Sequence, residues 1–373
     1  MKLREPTPTQ RAALGAALLP APAAFEAWRR LQDLTGSLDA MDAATFRSLP
    51  MVYRNLKDAG LGEDELGQLK GIYRQAWYRN RLAVSAAMRA VATLRAAGVE
   101  PIALKGLGLI ATAYPEPALR PMHDVDLLVA PAEAHQAASA LFDAGWRPSR
   151  GTRRDFSRRS RVFHAMPLVA VDGIEVDLHR AMLEENISPA VDATAFARKV
   201  VVSFEGESLT TLSPEDHVLN ACIHGGRWDW VPSLRWILDW AYLLREGRRR
   251  DATVALAAAL ELAREYEPGI PLAVVCDLKR VKPGRLERWD FCAQQAPDSI
   301  PVLAARNVTR YLHMAGRRSV GRKVLDFPVY LEWVWELDRP RQVPLEGLRR
   351  VFRRLRRRPA APRDDFTAVR SGH

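Results

Sequence analysis

The chain has 373 residues, of which 48% are apolar and 27% charged, with a formal net charge of +11. This balance suits a globular protein of two or three domains. The apolar runs, such as VALAAAL at 254–260, are too short to span a bilayer, and MKLREPTPTQ lacks the apolar stretch of a secretory leader, so a cytoplasmic protein without membrane contact is expected. Cys222, Cys276 and Cys292 show no metal-ligand spacing and read as free thiols.

Residues 1–98 read as helical. AAFEAWRRLQDL, ATFRSLPMVYRNLKDAG and the long stretch from Glu65 to Gly98 carry apolar residues at three- and four-residue spacing, and Gly98 supplies a C-terminal stop. At Val99 the pattern changes. VEPIALKG reads as a buried strand and LGLIATAY as a short helix stopped by Pro115 and Pro117. DVDLLV is a second strand, and AEAHQAASALFDAG is a helix ending at Gly145. Two hairpins follow, one turning at Asp172-Gly173 and one at Glu205-Gly206.

From Ser213 the chain is helical again. Ser213, Pro214 and Asp216 form a helix start, and PSLRWILDWAYLLREG is amphipathic. The expected class is α+β: an N-terminal helical region at 1–98, a small mixed β-sheet core at 99–212, a C-terminal helical region at 213–358 and a disordered tail at 359–373. LRRVFRRLRRR at 348–358 carries seven arginines. It reads first as a solvated helix, with nucleic acid as a possible partner through its charge.

Chemistry concentrates in two strands. In HDVDLLV, alternation puts Asp124 and Asp126 on one face and Val125, Leu127 and Val129 on the other. In IEVDLH, Glu175, Asp177 and His179 share a face. If the strands are neighbours, carboxylates converge, and such oxygen donors suit Mg²⁺ together with substrate phosphates. Two ions could then clamp the attacking and leaving oxygens of a phosphoryl displacement. Lys105 and Gly106 stand at the passage from strand to helix, where backbone N–H groups and a lysine charge suit phosphates.

The run ALKG, RPMHDVDLLV, AEAHQAASALFDAGW and IEVDLH resembles the bacterial nucleotidyltransferase-like family of the DNA polymerase β superfamily, over about residues 85–247. The resemblance implies a nucleotidyltransferase core with Gly106 in the glycine turn. Asp124, Asp126 and Asp177 take the catalytic, metal-binding positions, and Lys105 and Gly106 steady the triphosphate. It implies an enzyme that uses an NTP donor and Mg²⁺, two ions by expectation. The acceptor is open, with a small molecule or peptide favoured over RNA. Here the turn reads Lys105-Gly106-Leu107 where the superfamily has Gly-Ser or Gly-Gly, so a catalytically inactive binding or regulatory protein of the same fold is the alternative.

Three other readings bear on single residues. Gly106-Leu107-Gly108 fits a dinucleotide-binding pattern, but the chain turns to hairpins where that fold needs further βαβ units. His123-Asp124 matches a phosphohydrolase dipeptide, but lies in a β-rich stretch. Arg120 is read either as a phosphate contact or as a solvated loop residue, and Trp228, Trp230, Trp236 and Trp240 as core.

Overall fold

The structure is a computed structural model, and it describes residues 6–183, 189–225, 234–246, 320–335, 337 and 342–356. The chain forms two compact units, Met1–Gln295 and Ala296–His373. The expected disordered tail, Trp228, Trp230 and the side chains of all three cysteines lie outside the described residues.

The first unit opens with α1 (Pro8–Leu18), α2 (Ala23–Thr35), α3 (Ala43–Phe46), α4 (Leu49–Asp58) and α5 (Glu63–Ala96). Thr7 and Gln10 cap α1 reciprocally, each side chain bonding the other's backbone. ATFRSLPMVYRNLKDAG, read as one helix, is two. Pro50 sits in the first turn of α4, where its missing N–H does no harm, and the chain breaks just before it at Arg47–Ser48. The long α5 ends as expected, with Gly98 at φ +78°.

The sheet follows: β1 (Ile102–Ala103), α6 (Lys105–Thr112), β2 (Asp124–Leu128), α7 (Ala134–Asp143), β3 (Arg147–Pro148), α8 (Arg153–Arg159), β4 (Ala165–Val169), β5 (Glu175–His179), α9 (Pro189–Arg198), β6 (Val200–Phe204) and β7 (Glu207–Thr211). The strands form one mixed sheet in the order β3-β4-β5-β2-β1-β7-β6. β2 runs parallel to β5, and β1 parallel to β7; the other neighbours are antiparallel. This bears out the α+β class. Both expected hairpins form. Glu205 and Gly206 have φ of +55° and +82°, as a two-residue hairpin turn requires. At the other hairpin Ala170 and Ile174 still pair, leaving Val171-Asp172-Gly173 as a three-residue loop with Gly173 at φ +81°.

Helices before and after the sheet share one apolar core. Trp28, Leu31, Leu49, Val52, Leu56 and Leu66 pack in one cluster with Leu109 and Leu119 from the sheet region. Trp236, Ile237 and Leu238 of α11 (Arg235–Glu246) join it. α11 follows α10 (Pro214–Gly225), whose start is capped by Ser213 as expected: its Oγ accepts from Asp216 N–H at 3.2 Å and donates to Asp216 Oδ2 at 2.9 Å. Trp236 and Trp240 are buried, as a core role requires.

Arg120 fills neither role expected of it. It is buried at 4% exposure and grips Asp239 of α11 with both Nε (2.8 Å) and a terminal nitrogen (2.9 Å). Tyr114 donates to the same carboxylate at 2.7 Å and stacks on Tyr242. Asn80 of α5 completes the lock on the loop before β2. Its amide donates to the carbonyls of Pro117 and Arg120, and its oxygen accepts from Met122 N–H at 2.9 Å. Arg54 and Tyr73 hold Glu116 from the other side.

The second unit contributes α12 (Val320–Val334) and α13 (Val343–Arg356), and residues 348–356 of the arginine-rich stretch lie in α13. Among the described residues no helix is long and apolar enough to cross a membrane.

The Arg120–Asp239 pair generates the first expectation. Asp239→Ala strands a buried guanidinium and should destabilise the protein by about 3–5 kcal/mol. The double replacement Arg120→Met with Asp239→Leu removes both charges and should recover most of that loss. Urea denaturation of the three proteins checks it. A double variant no more stable than Asp239→Ala would show that the pair does not act as a unit.

Candidate active site

β2 and β5 lie side by side in parallel register, with Asp124 opposite Glu175 and Asp126 opposite Asp177. Opposed residues in neighbouring strands point to the same face, so the two acidic rows that alternation placed on separate strands become one. Val125, Leu127 and Val176 fill the other face and are fully buried. The position of β2 in the sheet is fixed on its far side by β1, with Ile102 opposite Leu128, and by a bond from Leu104 N–H to the Asp126 carbonyl at 3.0 Å.

Just after β1 the chain turns sharply into α6. Lys105 takes φ +41°, a left-handed conformation uncommon for a side-chain-bearing residue. The bend delivers its ammonium to Asp126 Oδ1 at 2.5 Å. Gly106 follows in a space that admits no side chain. A Cβ there would lie 2.6 Å from Met122 Sδ and 2.9 Å from an Arg120 terminal nitrogen. Gly108 is tighter still, its Cβ position 2.4 Å from Thr211 Oγ1 and 2.7 Å from the Ala103 carbonyl. Both glycines are therefore packing requirements of the strand-to-helix passage.

Asp126 is the electrostatic centre. At 3% exposure it holds Lys105 and, through the same oxygen, His179 Nε2 at 2.9 Å. Burial opposes its charge, but Lys105 and His179 outweigh that and keep the carboxyl well below the usual range. Asp177 has the opposite fate. Burial, then the charges of Asp126 and Asp124, push it up to about 7. Its Oδ1 is buried and has no hydrogen-bond partner. Burial, followed by Lys105, lowers His179, which favours the neutral ring.

The ligand atoms of Asp126, Asp177 and His179 all lie within 4.8 Å of one another. The chemistry of this set, two carboxylates and an imidazole, fits a divalent cation, and the unpartnered Asp177 oxygen has room in its bonding for one. Asp124 stands one step along β2. It is half-buried and lies outside this close group, but its charge helps raise both Asp177 and Glu175. The sequence reading thus named Asp126, Asp177 and Lys105 among the residues that meet. It undervalued His179, whose membership was visible in the i, i+2, i+4 alternation of Glu175, Asp177 and His179. His217, the other buried histidine of interest, pairs with Thr211 Oγ1 at 3.1 Å instead.

The sequence model of a family described as uncharacterised nucleotidyltransferase matches residues 43–276. The chain belongs to this nucleotidyltransferase family. Among solved structures it is similar to the antibiotic-resistance factor ANT(2'')-Ia, with 12% identity and a TM-score of 0.34, covering 50% of this chain and 100% of that one. It is also similar to an antigenic nucleotidyltransferase-like protein from Paracoccidioides brasiliensis, with 14% identity and a TM-score of 0.31, covering 53% of this chain and 91% of that one. No curated protein matches.

The nucleotidyltransferase match extends well beyond the sheet, into the helices on both sides of it. It takes in Asn80, Arg120 and Asp239, which lock the loop leading into β2. Sequence patterns gave no sign of Asn80, one polar residue in a long helix. Asp239 carried a faint one, a carboxylate on the helix face of Trp236, Tyr242 and Leu243.

Charge crowding at Asp177 has a measurable consequence. Its folded-state value near 7 lies above the ordinary 3.8, so the folded protein holds this proton more tightly than the unfolded chain. Stability from that proton is complete below pH 4 and lost as pH rises towards and through 7. In EDTA, between pH 5 and pH 8, wild type should therefore lose about 2–3 kcal/mol relative to Asp177→Asn. Parallel stability curves for the two proteins in guanidinium across that range would show that Asp177 is not crowded.

Proposed function

We propose that this nucleotidyltransferase moves a nucleoside monophosphate from an NTP to an acceptor hydroxyl or amine, at the face shared by β2 and β5, with a divalent cation. The observation that carries the reading is the register of Asp126 with Asp177, which brings a buried, lysine-neutralised carboxylate beside one with an unpartnered oxygen. Mg²⁺ is the first expectation from the carboxylates, and Asp124, Asp126 and Asp177 are the residues to hold it with the triphosphate. A bound cation supplies positive charge to the phosphate oxygens as charge moves onto the departing group.

The chain's own residues have distinct tasks. The acceptor oxygen or nitrogen bonds to the α-phosphorus, the bond from that phosphorus to the bridging oxygen breaks, and pyrophosphate leaves with the electron pair. Asp177 takes the proton that the acceptor gives up; it is the carboxylate least committed to other partners. Lys105 holds Asp126 ionised, and its ammonium is a charge for the triphosphate to take up. Gly106 lets α6 begin hard against Met122, with its N-terminal N–H groups free for phosphate oxygens. Positioning and electrostatics do most of such chemistry.

The alternative is an inactive binding or regulatory protein. One observation favours it: Lys105 already neutralises Asp126, as a lysine that permanently replaces the cation would. Turnover separates the two. The protein is incubated with Mg²⁺ or Mn²⁺ and each labelled NTP, and pyrophosphate release is followed. Mass analysis of candidate acceptors, small molecules and peptides before RNA, and of the protein itself identifies the product. Asp126→Asn should lower the rate at least on the order of 10²–10³-fold in protein that remains folded. A wild-type rate in Asp126→Asn would end this reading of the site, and NTP binding without turnover in wild type would favour the regulatory protein.

A further inference from the structure

His179 is almost wholly buried, at 1% exposure, and both its ring nitrogens face oxygen acceptors. Nδ1 lies 3.3 Å from the Ala181 carbonyl and Nε2 lies 2.9 Å from Asp126 Oδ1. A neutral imidazole has one N–H, so one of these contacts sets lone pair against lone pair. A second proton on the ring would resolve the conflict. It would also place a second cation on the oxygen that already takes the Lys105 ammonium at 2.5 Å. A metal ion at Nε2 resolves it too; it needs the same Asp126 oxygen, so Lys105 must give way to it, and it alone also engages the unpartnered Asp177 oxygen. Nδ1–H then donates to the Ala181 carbonyl, the usual way in which a backbone carbonyl orients a metal-bound imidazole.

The distances agree. Adjacent donors on an octahedral ion with bonds of about 2.1 Å lie about 3 Å apart, close to the observed Nε2–Oδ1 separation. Asp177 offers the third donor within the same 4.8 Å group, and its Oδ1 has no hydrogen-bond partner.

We propose that His179 Nε2 is a direct ligand of the site's cation. The centre is then Asp126, Asp177 and His179, and it favours Mn²⁺ or another first-row ion that accepts nitrogen over Mg²⁺. The proposal rests on the reading that Asp126 and Asp177 bind a cation; it puts His179 in the place given above to Asp124, which lies outside the close group, and it adds the class of metal.

The test uses the full chain, stripped of metal and titrated with Mn²⁺ while electron paramagnetic resonance follows free ion. Electron spin-echo modulation then reports nitrogen bound directly to manganese. The expected result is a bound Mn²⁺ with ¹⁴N modulation from one imidazole, displaced by Mg²⁺ only at concentrations at least about tenfold higher. His179→Gln should lose the modulation and bind Mn²⁺ about 10–100-fold more weakly. His164→Gln, which changes the ring 5.1 Å from His179, should keep it. If His179→Gln fails to fold, modulation in wild type that survives in His164→Gln still supports the assignment. Mn²⁺ bound without ¹⁴N modulation would overturn the His179 ligand and leave the carboxylate site standing. No binding of either ion, with or without NTP, would overturn both.

Discussion

Asp126 is a carboxylate held in its charged form although it is almost wholly buried, and much of the surrounding structure answers to that. A buried charge is tolerated only when another charge and hydrogen bonds meet it. Lys105 meets it here, and only because the chain between β1 and α6 bends through a left-handed residue. The bend in turn needs glycine at 106, since Met122 and Arg120 crowd the space where a side chain would begin. A single carboxylate therefore accounts for the unusual backbone, the lysine and the glycine of the ALKG turn.

Holding Asp126 in place also demands a rigid approach to β2. The segment between α6 and β2 has little regular structure, and loops of that kind are ordinarily mobile. Here it is tied on two sides. Asn80 takes up its carbonyls and an N–H from α5, and Arg120 reaches Asp239 on α11. Helices from both ends of the unit thus fix the entrance to one strand. The N-terminal helices and α11, far apart in sequence, share a single core with α6. They form the wall against which α6 is pressed.

The sheet core and the acidic pair were legible because they follow short-range rules. Alternation showed which residues of HDVDLLV and IEVDLH share a face, and glycine turns showed where the hairpins close. What escaped was long-range. That β5 lies beside β2 was expected only from the family resemblance; the parallel register depends on a connection of more than forty residues, and no local pattern encodes it. The roles of Arg120 and Asn80 escaped for a related reason. Each is polar, and a polar residue in a loop or helix is ordinarily solvated; only the partner across the core, Asp239 for one and a loop backbone for the other, reveals a buried network. His179 was on the right face from the start, but its weight comes from Asp126 on another strand.

The pairing of Asp126 with Lys105 also sets a condition on any cation at this site. The ammonium and the ion compete for one oxygen, Asp126 Oδ1. The ion gains most where Lys105 has another anion to move to, and an NTP brings one in its phosphates. Cation and nucleotide should therefore bind with mutual reinforcement, each relieving a charge that the other leaves exposed. Asp177 strengthens the coupling: its proton, held near neutral pH by burial and by Asp126, must be given up for the carboxylate to ligate well. The site thus carries a charge balance of its own, with lysine against Asp126 and with burial favouring the proton on Asp177. On the proposed function, nucleotide and cation together would open it.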